Sequence, residues 1–150
     1  MAGSEYLSLL HGIVAGMPTI DIDLELAVQE VCRDLISLNV IKSAHDCSEG
    51  GLAIAITESC ILGGLGFHMD AQEVGDLDAA LYGEEQSRII ISVDKKLLKE
   101  VGTRCYASGV PWMVLGKIGG THIQLADSVS ISLQKCTEIW NDSIERLMRV

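Results

Sequence analysis

Apolar residues recur at steps of three and four from Leu24 through Ala27, Val28, Val31, Leu35 and Leu38, with Glu25, Gln29, Glu30, Arg33 and Asp34 between them. This spacing gathers the apolar set on one helix face, with Asp21 or Asp23 as cap and Asn39 at the end. Val40-Ile41 then leads through Lys42-Ser43-Ala44 into His45-Asp46-Cys47-Ser48. A second helix is expected from about Glu49 to Leu62. Leu52–Ile56 and Ile61 make it apolar nearly all round, so it should be buried, and Gly63-Gly64 should stop it. Phe67–Met69 reads as a short strand, and Arg88–Val93 as one continuous enough to be central. Asp94 should cap a third helix from Lys95 to about Tyr106, closing near Gly109. Trp112–Ile118 reads as a strand, Gly119-Gly120 as a tight turn, and Thr121–Leu125 as the strand that pairs back in a hairpin. Val129–Leu133 alternates as a further strand. The last helix, Lys135–Arg149, carries Cys136, Trp140, Ile144, Leu147 and Met148 on one face.

Helices alternating with strands, then a hairpin and a helix, predict an α/β (α+β) sandwich with a mixed β-sheet packed against helices. Residues 1–19 contain glycines and a proline without long periodicity and read as an irregular, linker-like leading segment. With no internal repeat, residues 20–150 are expected to form one domain.

A chain of 150 residues, 48% hydrophobic and 21% charged, is long enough for a core without disulfide staples. The longest aliphatic run, Leu52–Ile56, falls far short of the ~20 residues of a membrane span. The amino terminus has no basic stretch before its weakly apolar one, so no signal peptide is read. A soluble, cytoplasmic protein is expected, without a membrane partner. Twenty-one acidic residues against eleven basic ones give a net charge of −10, and Lys95-Lys96 with Lys99 is the only basic cluster. That balance argues against nucleic acid as a partner. Any phosphate must be held by backbone amides and a divalent metal. Cys32, Cys47, Cys60, Cys105 and Cys136 are odd in number and lack metal-site spacing, so they read as reduced, mostly buried thiols.

Two segments break the rules for a stable core element. In His45-Asp46-Cys47-Ser48-Glu49-Gly50-Gly51, Ser48 stands where a helix cap would, and two glycines fall in the first turn, where each costs roughly 1 kcal/mol. Without side chains they let a ligand or another backbone approach the helix start, whose positive dipole end suits a phosphate. Asp46 beside them is a hard oxygen ligand for magnesium. The same pattern also serves as an ordinary cap with a close-packing glycine pair. The second segment, Leu81-Tyr82-Gly83-Glu84-Glu85-Gln86-Ser87-Arg88, crowds polar residues before a strong strand. It reads either as a solvated loop or as a cleft mouth where Glu84 and Gln86 contact a ligand and Arg88 orients them. His45 is either a general base or an orienting neighbour of Asp46. His11, His68 and His122 stand alone, and no P-loop, G-x-S-x-G or G-x-G-x-x-G is present.

Taken in order, Ser43–Ala53 and Leu81–Arg88 resemble the carboxy-terminal domain of the phosphoribosylformylglycinamidine synthase family, within the aminoimidazole ribonucleotide (AIR) synthetase superfamily. The opening Gly3-Ser4-Glu5-Tyr6-Leu7 is similar to that family's linker into its last domain. The resemblance implies an AIR synthase C-terminal-domain-like fold and a share in an ATP- and magnesium-dependent ligase of de novo purine biosynthesis. That ligase converts formylglycinamide ribonucleotide to formylglycinamidine ribonucleotide with glutamine-derived ammonia. It implies Asp46 as a magnesium ligand, Ser48, Gly50 and Gly51 as contacts to ATP or ADP, and Glu84 and Gln86 as ligand contacts of the following loop. No catalytic residue is expected in this chain. Glu85 stands where the family more usually has serine. The implied partners are the amino-terminal halves of the same synthetase, a glutaminase subunit or domain, and a small-molecule nucleotide substrate. Met1-Ala2 directly before such a linker suggests a shortened chain, inactive alone. The other readings are a structural, interacting domain with a vestigial site, or the corresponding half of another ATP-dependent enzyme of the superfamily.

Overall fold

The computed structural model describes residues 3–70 and 76–148. The chain divides into two compact units, one from the described residues of Met1–Ala55 and Asp76–Val114, the other from those of Ile56–Gly75 and Leu115–Val150.

In the first unit, the Asp21 carboxylate accepts the Leu24 N–H at 3.1 Å and starts helix α2, Ile22–Ser37. Asn39 follows in the left-handed region at φ 55°, which its short polar side chain tolerates. The Val40 N–H returns to the Leu35 carbonyl, turning the chain into β1, Ile41–Asp46. β1 runs antiparallel to β3, Ile89–Val93, with Asp46 opposite Ile89. After a 3-10 turn at Lys95–Leu97 comes α5, Leu98–Ala107. Val31 and Leu35 from α2 meet Val101 and Cys105 from α5, with Val40, Ile91 and Val93 packed against them. Among the described residues β3 pairs only with β1 and is half-buried throughout, so it is not the central strand expected. A β-branched run reports helix cover on its faces and says nothing of how many strands flank its edges.

Two shorter helices complete this unit. α4 spans Leu77–Tyr82. α1, Glu5–His11, lies in the leading segment that was expected to be irregular. Seven residues are too few to show a period, and a helix this short depends on tertiary contacts. Gly12, at φ 63°, closes it. Helix α3, Gly51–Gly63, follows β1 and is buried at Leu52, Ala53, Ala55, Ile56 and Cys60, but Ile54 and Leu62 are exposed, so it is not buried all round as expected. It stops at the expected glycines.

The second unit holds a four-stranded mixed sheet. β2 (Phe67–Met69) lies antiparallel to β4 (Gly116–Ile118) and parallel to β5 (His122–Leu125), which pairs antiparallel with β6 (Val129–Ser132). The expected hairpin of Trp112–Ile118 with Thr121–Leu125 therefore does not form: β2 sits between them, and only Gly116–Ile118 of the first run is strand. The reason lies in glycine contacts. Gly119 N–H donates to the Gly66 carbonyl at 2.8 Å, and Gly66 N–H to the Gly120 carbonyl at 3.0 Å, so the turn clasps β2's leading residue. A Cβ at Gly66 or Gly116 would run into the carbonyl oxygens of His122 and His68 respectively. Helix α6, Leu133–Met148, buries Cys136 but leaves Trp140, Ile144, Leu147 and Met148 exposed. Its expected end at Arg149 lies outside the described residues. Among the described residues, no helix is long and apolar enough to cross a membrane.

Leu35 is 1% exposed at the centre of the first unit's core. Leu35→Ala is expected to destabilise that unit by about 2–5 kcal/mol, read as a lowered urea midpoint.

Candidate functional site

The first candidate segment begins where β1 ends. Cys47 N–H donates to the Arg88 carbonyl at 2.9 Å, carrying the pairing one residue beyond the strand. Asp46 leaves its carboxylate 75% exposed, and the Ser48 hydroxyl donates to its Oδ2 at 3.0 Å. Ser48 is thus turned to Asp46 and is not the cap of α3. His45 Nδ1 lies 2.7 Å from the Asp46 carbonyl oxygen. Gly50 and Gly51 take φ +78° and +67°, so they form the turn before the helix instead of weakening its interior. Gly51 N–H donates to the Ser48 carbonyl at 3.0 Å. A Cβ on Gly51 would stand 2.7 Å from the Gly83 carbonyl oxygen and 2.9 Å from that of Leu81. Gly51 thus admits the backbone at the end of α4, whereas a Cβ on Gly50 would meet the Ile54 side chain.

The second segment supplies that backbone. Asp76 caps α4 by accepting the Ala79 N–H, and Arg88 donates from Nη1 to the Gly83 carbonyl at 3.0 Å and from Nη2 to that of Ala80 at 2.9 Å. Glu84 Oε1 accepts two backbone N–H groups, from Glu5 and from Gly50, both at 2.9 Å. Ser87, at φ 63°, donates its hydroxyl to Glu25 Oε2 at 2.7 Å, while Gln29 donates to Glu25 Oε1 at 2.6 Å. The Ser87 bond first, and the Gln29 bond after it, hold the Glu25 carboxyl below its usual 4.5. Tyr6 stacks on Tyr82 with ring centroids 4.7 Å apart and donates its hydroxyl to Asp78 at 3.0 Å; that bond chiefly raises the Tyr6 pKa.

The structure therefore joins Asp46 to Ser48 and Gly50 to Glu84 directly. Gln86 makes no hydrogen bond to any of them. It faces, with Glu85 and Ser87, a cavity of about 410 Å³ bounded by Met17, Pro18 and Leu24. The lining includes Asp21, Glu84 and Glu85 and no lysine or arginine. Sequence reasoning missed three participants: Glu5, Tyr6 and Glu25. Glu25 left a trace as the i, i+4 partner of Gln29 on α2, and Glu5 and Tyr6 only as part of the leading segment that resembles the family's linker.

Among the described residues, no three His, Cys, Asp or Glu side chains converge to hold a metal ion. The carboxylate of Asp46 fits one ligand position of a hard cation whose remaining ligands come from water or a bound phosphate. The thiols are poor nucleophiles: burial pushes Cys60 up to about 11, and raises Cys47 against the opposing charge of Arg88. All five cysteines are free.

The sequence model of the family described as "AIR synthase related protein, C-terminal domain" matches residues 2–127. The subunit PurL of phosphoribosylformylglycinamidine synthase from Thermomicrobium roseum is 38% identical over 149 residues, covering 96% of this chain and 20% of that protein. The chain thus spans about a fifth of the length of this relative. Among solved structures, Thermotoga maritima PurL complexed with FGAR matches with a TM-score of 0.73 at 14% identity, over 90% of this chain and 24% of that one. The same protein complexed with ATP matches with a TM-score of 0.69 at 15% identity, over 81% and 23%. These two likenesses concern the fold.

Two outcomes follow from the geometry. Gly51→Ala should cost on the order of 1–3 kcal/mol, from strain at positive φ and the clash with the Gly83 and Leu81 carbonyls, read by urea unfolding. Glu25 has a folded pKa below its unfolded value, so its stabilisation is complete above pH 4.5 and is lost as pH falls through the folded pKa. The gap in urea midpoint between the wild-type chain and Glu25→Gln should therefore narrow on acidification from pH 6 to pH 3.

Proposed function

Since the chain belongs to the family of AIR synthase related proteins, C-terminal domain, we propose that it supplies one side of a nucleotide cleft in a phosphoribosylformylglycinamidine synthase. The observation that carries this reading is the exposed Asp46 carboxylate beside the left-handed Gly50-Gly51 turn at the start of α3, in a chain 38% identical to a PurL subunit over nearly its whole length. PurL of T. maritima is described in complexes with ATP, ADP and FGAR, which supports a nucleotide for this cleft.

The proposed reaction of the whole enzyme is ATP-dependent C–N bond formation. ATP phosphorylates the carboxamide oxygen of the glycinamide group of formylglycinamide ribonucleotide and leaves as ADP, ammonia from glutamine attacks the activated carbon, and phosphate leaves. Magnesium, when bound, would neutralise polyphosphate charge. Asp46 offers that ion one carboxylate oxygen, and Ser48 orients the carboxylate by its hydrogen bond. The positive end of α3 favours a phosphate, and Gly50 and Gly51 open that helix, although the space on their Cβ sides is taken by Ile54 and by the Gly83 and Leu81 carbonyls. Glu84 and Gln86 border the site from the following loop. In this reading the catalytic group comes from outside the chain, so turnover requires the amino-terminal halves of the synthetase and a glutaminase subunit or domain, and the chain alone is inactive. A soluble, cytoplasmic setting suits these substrates.

One observation favours a second reading, a structural domain with a vestigial cleft. The Gly50 N–H and Glu84 Oε1 are already committed to each other, so neither is open to a ligand in this arrangement.

Calorimetric titration with ADP and magnesium separates the two. Magnesium-dependent binding weakened about ten-fold or more in Asp46→Ala is expected, a change of about 1.4 kcal/mol. Binding that ignores magnesium or the variant overturns the role of Asp46. No binding to either protein leaves the vestigial reading standing, and ammonia-dependent turnover by the chain alone would refute its inactivity.

A further inference from the structure

Glu84 Oε1 is the meeting point of two segments distant in sequence, the start of α1 through the Glu5 N–H and the turn before α3 through the Gly50 N–H. The backbone behind Glu84 is held. Gly83 N–H donates to the Ala79 carbonyl, and the Gly83 carbonyl accepts from Arg88 Nη1. The leading segment is fastened to α4 by independent contacts. Tyr6 lies nearly parallel on Tyr82, 15° between planes, with its hydroxyl on Asp78. Gly3 N–H donates to the Ala15 carbonyl, folding the segment back on itself, and Ser4 is 1% exposed.

We propose that Glu84 is a latch through which docking of the leading segment on α4 sets the conformation of the Gly50-Gly51 turn. For its functional consequence, regulation of the nucleotide turn, this rests on the reading above; the coupling itself rests on the contacts alone. A carboxylate oxygen shared by two N–H donors is oriented by both. When one donor leaves, the side chain regains rotamer freedom, and the remaining bond must be re-formed from a broader ensemble. At the other end of that bond stands a glycine pair, the backbone most able to wander once its acceptor is lost. Coupling of this kind is reciprocal. A ligand that draws the Gly50 N–H away from Glu84 loosens the leading segment, and a segment that undocks frees the turn. Glu84 is thus a positioning residue toward any phosphate at α3, acting through Gly50.

Amide hydrogen exchange on the whole chain tests the latch without any ligand. Tyr6 touches neither Gly50 nor Gly51 in any hydrogen bond or ring contact described. Yet Tyr6→Ala should speed exchange of the Gly50 and Gly51 amides about five-fold or more, the lower end of ordinary coupling, together with those of Glu5–His11. Tyr6→Phe, which keeps the stack and loses the Asp78 bond, should do so less. Glu84→Ala should release both segments, and Glu84→Gln, which retains a carbonyl acceptor, should fall between it and the wild type. The Ile123 and Leu125 amides of β5 should not change, and if Tyr6→Ala disturbs them the milder Tyr6→Phe decides. Faster exchange in Glu5–His11 with none at Gly50-Gly51 overturns the proposal and reduces Glu84 to two independent caps. Adding ADP and magnesium gives a separate arm: faster leading-segment exchange on saturation supports the latch. An ADP titration that alters no amide counts against the nucleotide reading alone, because the Tyr6 variants decide the coupling without ligand.

Discussion

The candidate site depends on one close approach, backbone against backbone, between the turn that opens α3 and the carbonyls that end α4. Gly51 has no room for a Cβ, because the Gly83 and Leu81 carbonyl oxygens occupy that space. Arg88 answers the same crowding from the other side. Its guanidinium takes the Gly83 and Ala80 carbonyls, which would otherwise lie part-buried with few donors in reach. Leu81, whose carbonyl meets Gly51, is itself 1% exposed. Once these two backbones touch, Glu84 is carried to within 2.9 Å of the Gly50 N–H, and the loop from Gly83 to Ser87 has little freedom left.

What the residue pattern disclosed, and what it hid, follows from the range of each interaction. Helix α2 was legible because its period, the Asp21 cap and the stop at Asn39 are all local. Helix α3 and its glycine stop were legible for the same reason, but the exposure of Ile54 and Leu62 was not. The hairpin was not: adjacency of Gly116–Ile118 and His122–Leu125 across two glycines suggested pairing, and only the clasp of Gly119 and Gly120 on Gly66 reveals that β2 intervenes. Ser48 looked like a cap because it precedes a helix. Its hydroxyl found the nearer and charged Asp46 carboxylate, and two left-handed glycines displaced the helix start to Gly51. In the site, the two segments were legible as exceptions to core rules, but their mutual contact spans more than thirty residues. Tyr6 and Glu5 were hidden because α1 is too short to announce itself.

Charge shapes what such a site can hold. A chain of net charge −10, with a cavity lined by Asp21, Glu84 and Glu85 and by no cation, does not attract a free polyphosphate electrostatically. The end of α3 offers a dipole and two side-chain-free residues, a weaker attraction that falls off within a turn. An anionic ligand here therefore leans on a divalent ion at Asp46 or on cationic groups from outside this chain.

The division of labour within Leu81–Arg88 bears on how its polar residues are to be understood. Three of them hold the loop together: Arg88 on α4's carbonyls, Ser87 on Glu25, and Glu84 on two N–H groups. Each is a charged or charge-assisted bond, of the kind whose loss leaves an uncompensated partner behind. Glu85 and Gln86 carry no such duty and remain exposed at the cavity. A loop of this build is rigid where it meets the glycine turn and open at two adjacent side chains. Substitutions at Glu84, Ser87 or Arg88 would remove bonds that hold the loop, whereas one at Gln86 would remove none of them. The same segment thus holds the loop together through three residues and leaves the other two exposed at the cavity, and the bonds to Gly50, Glu25 and the α4 carbonyls decide which are which.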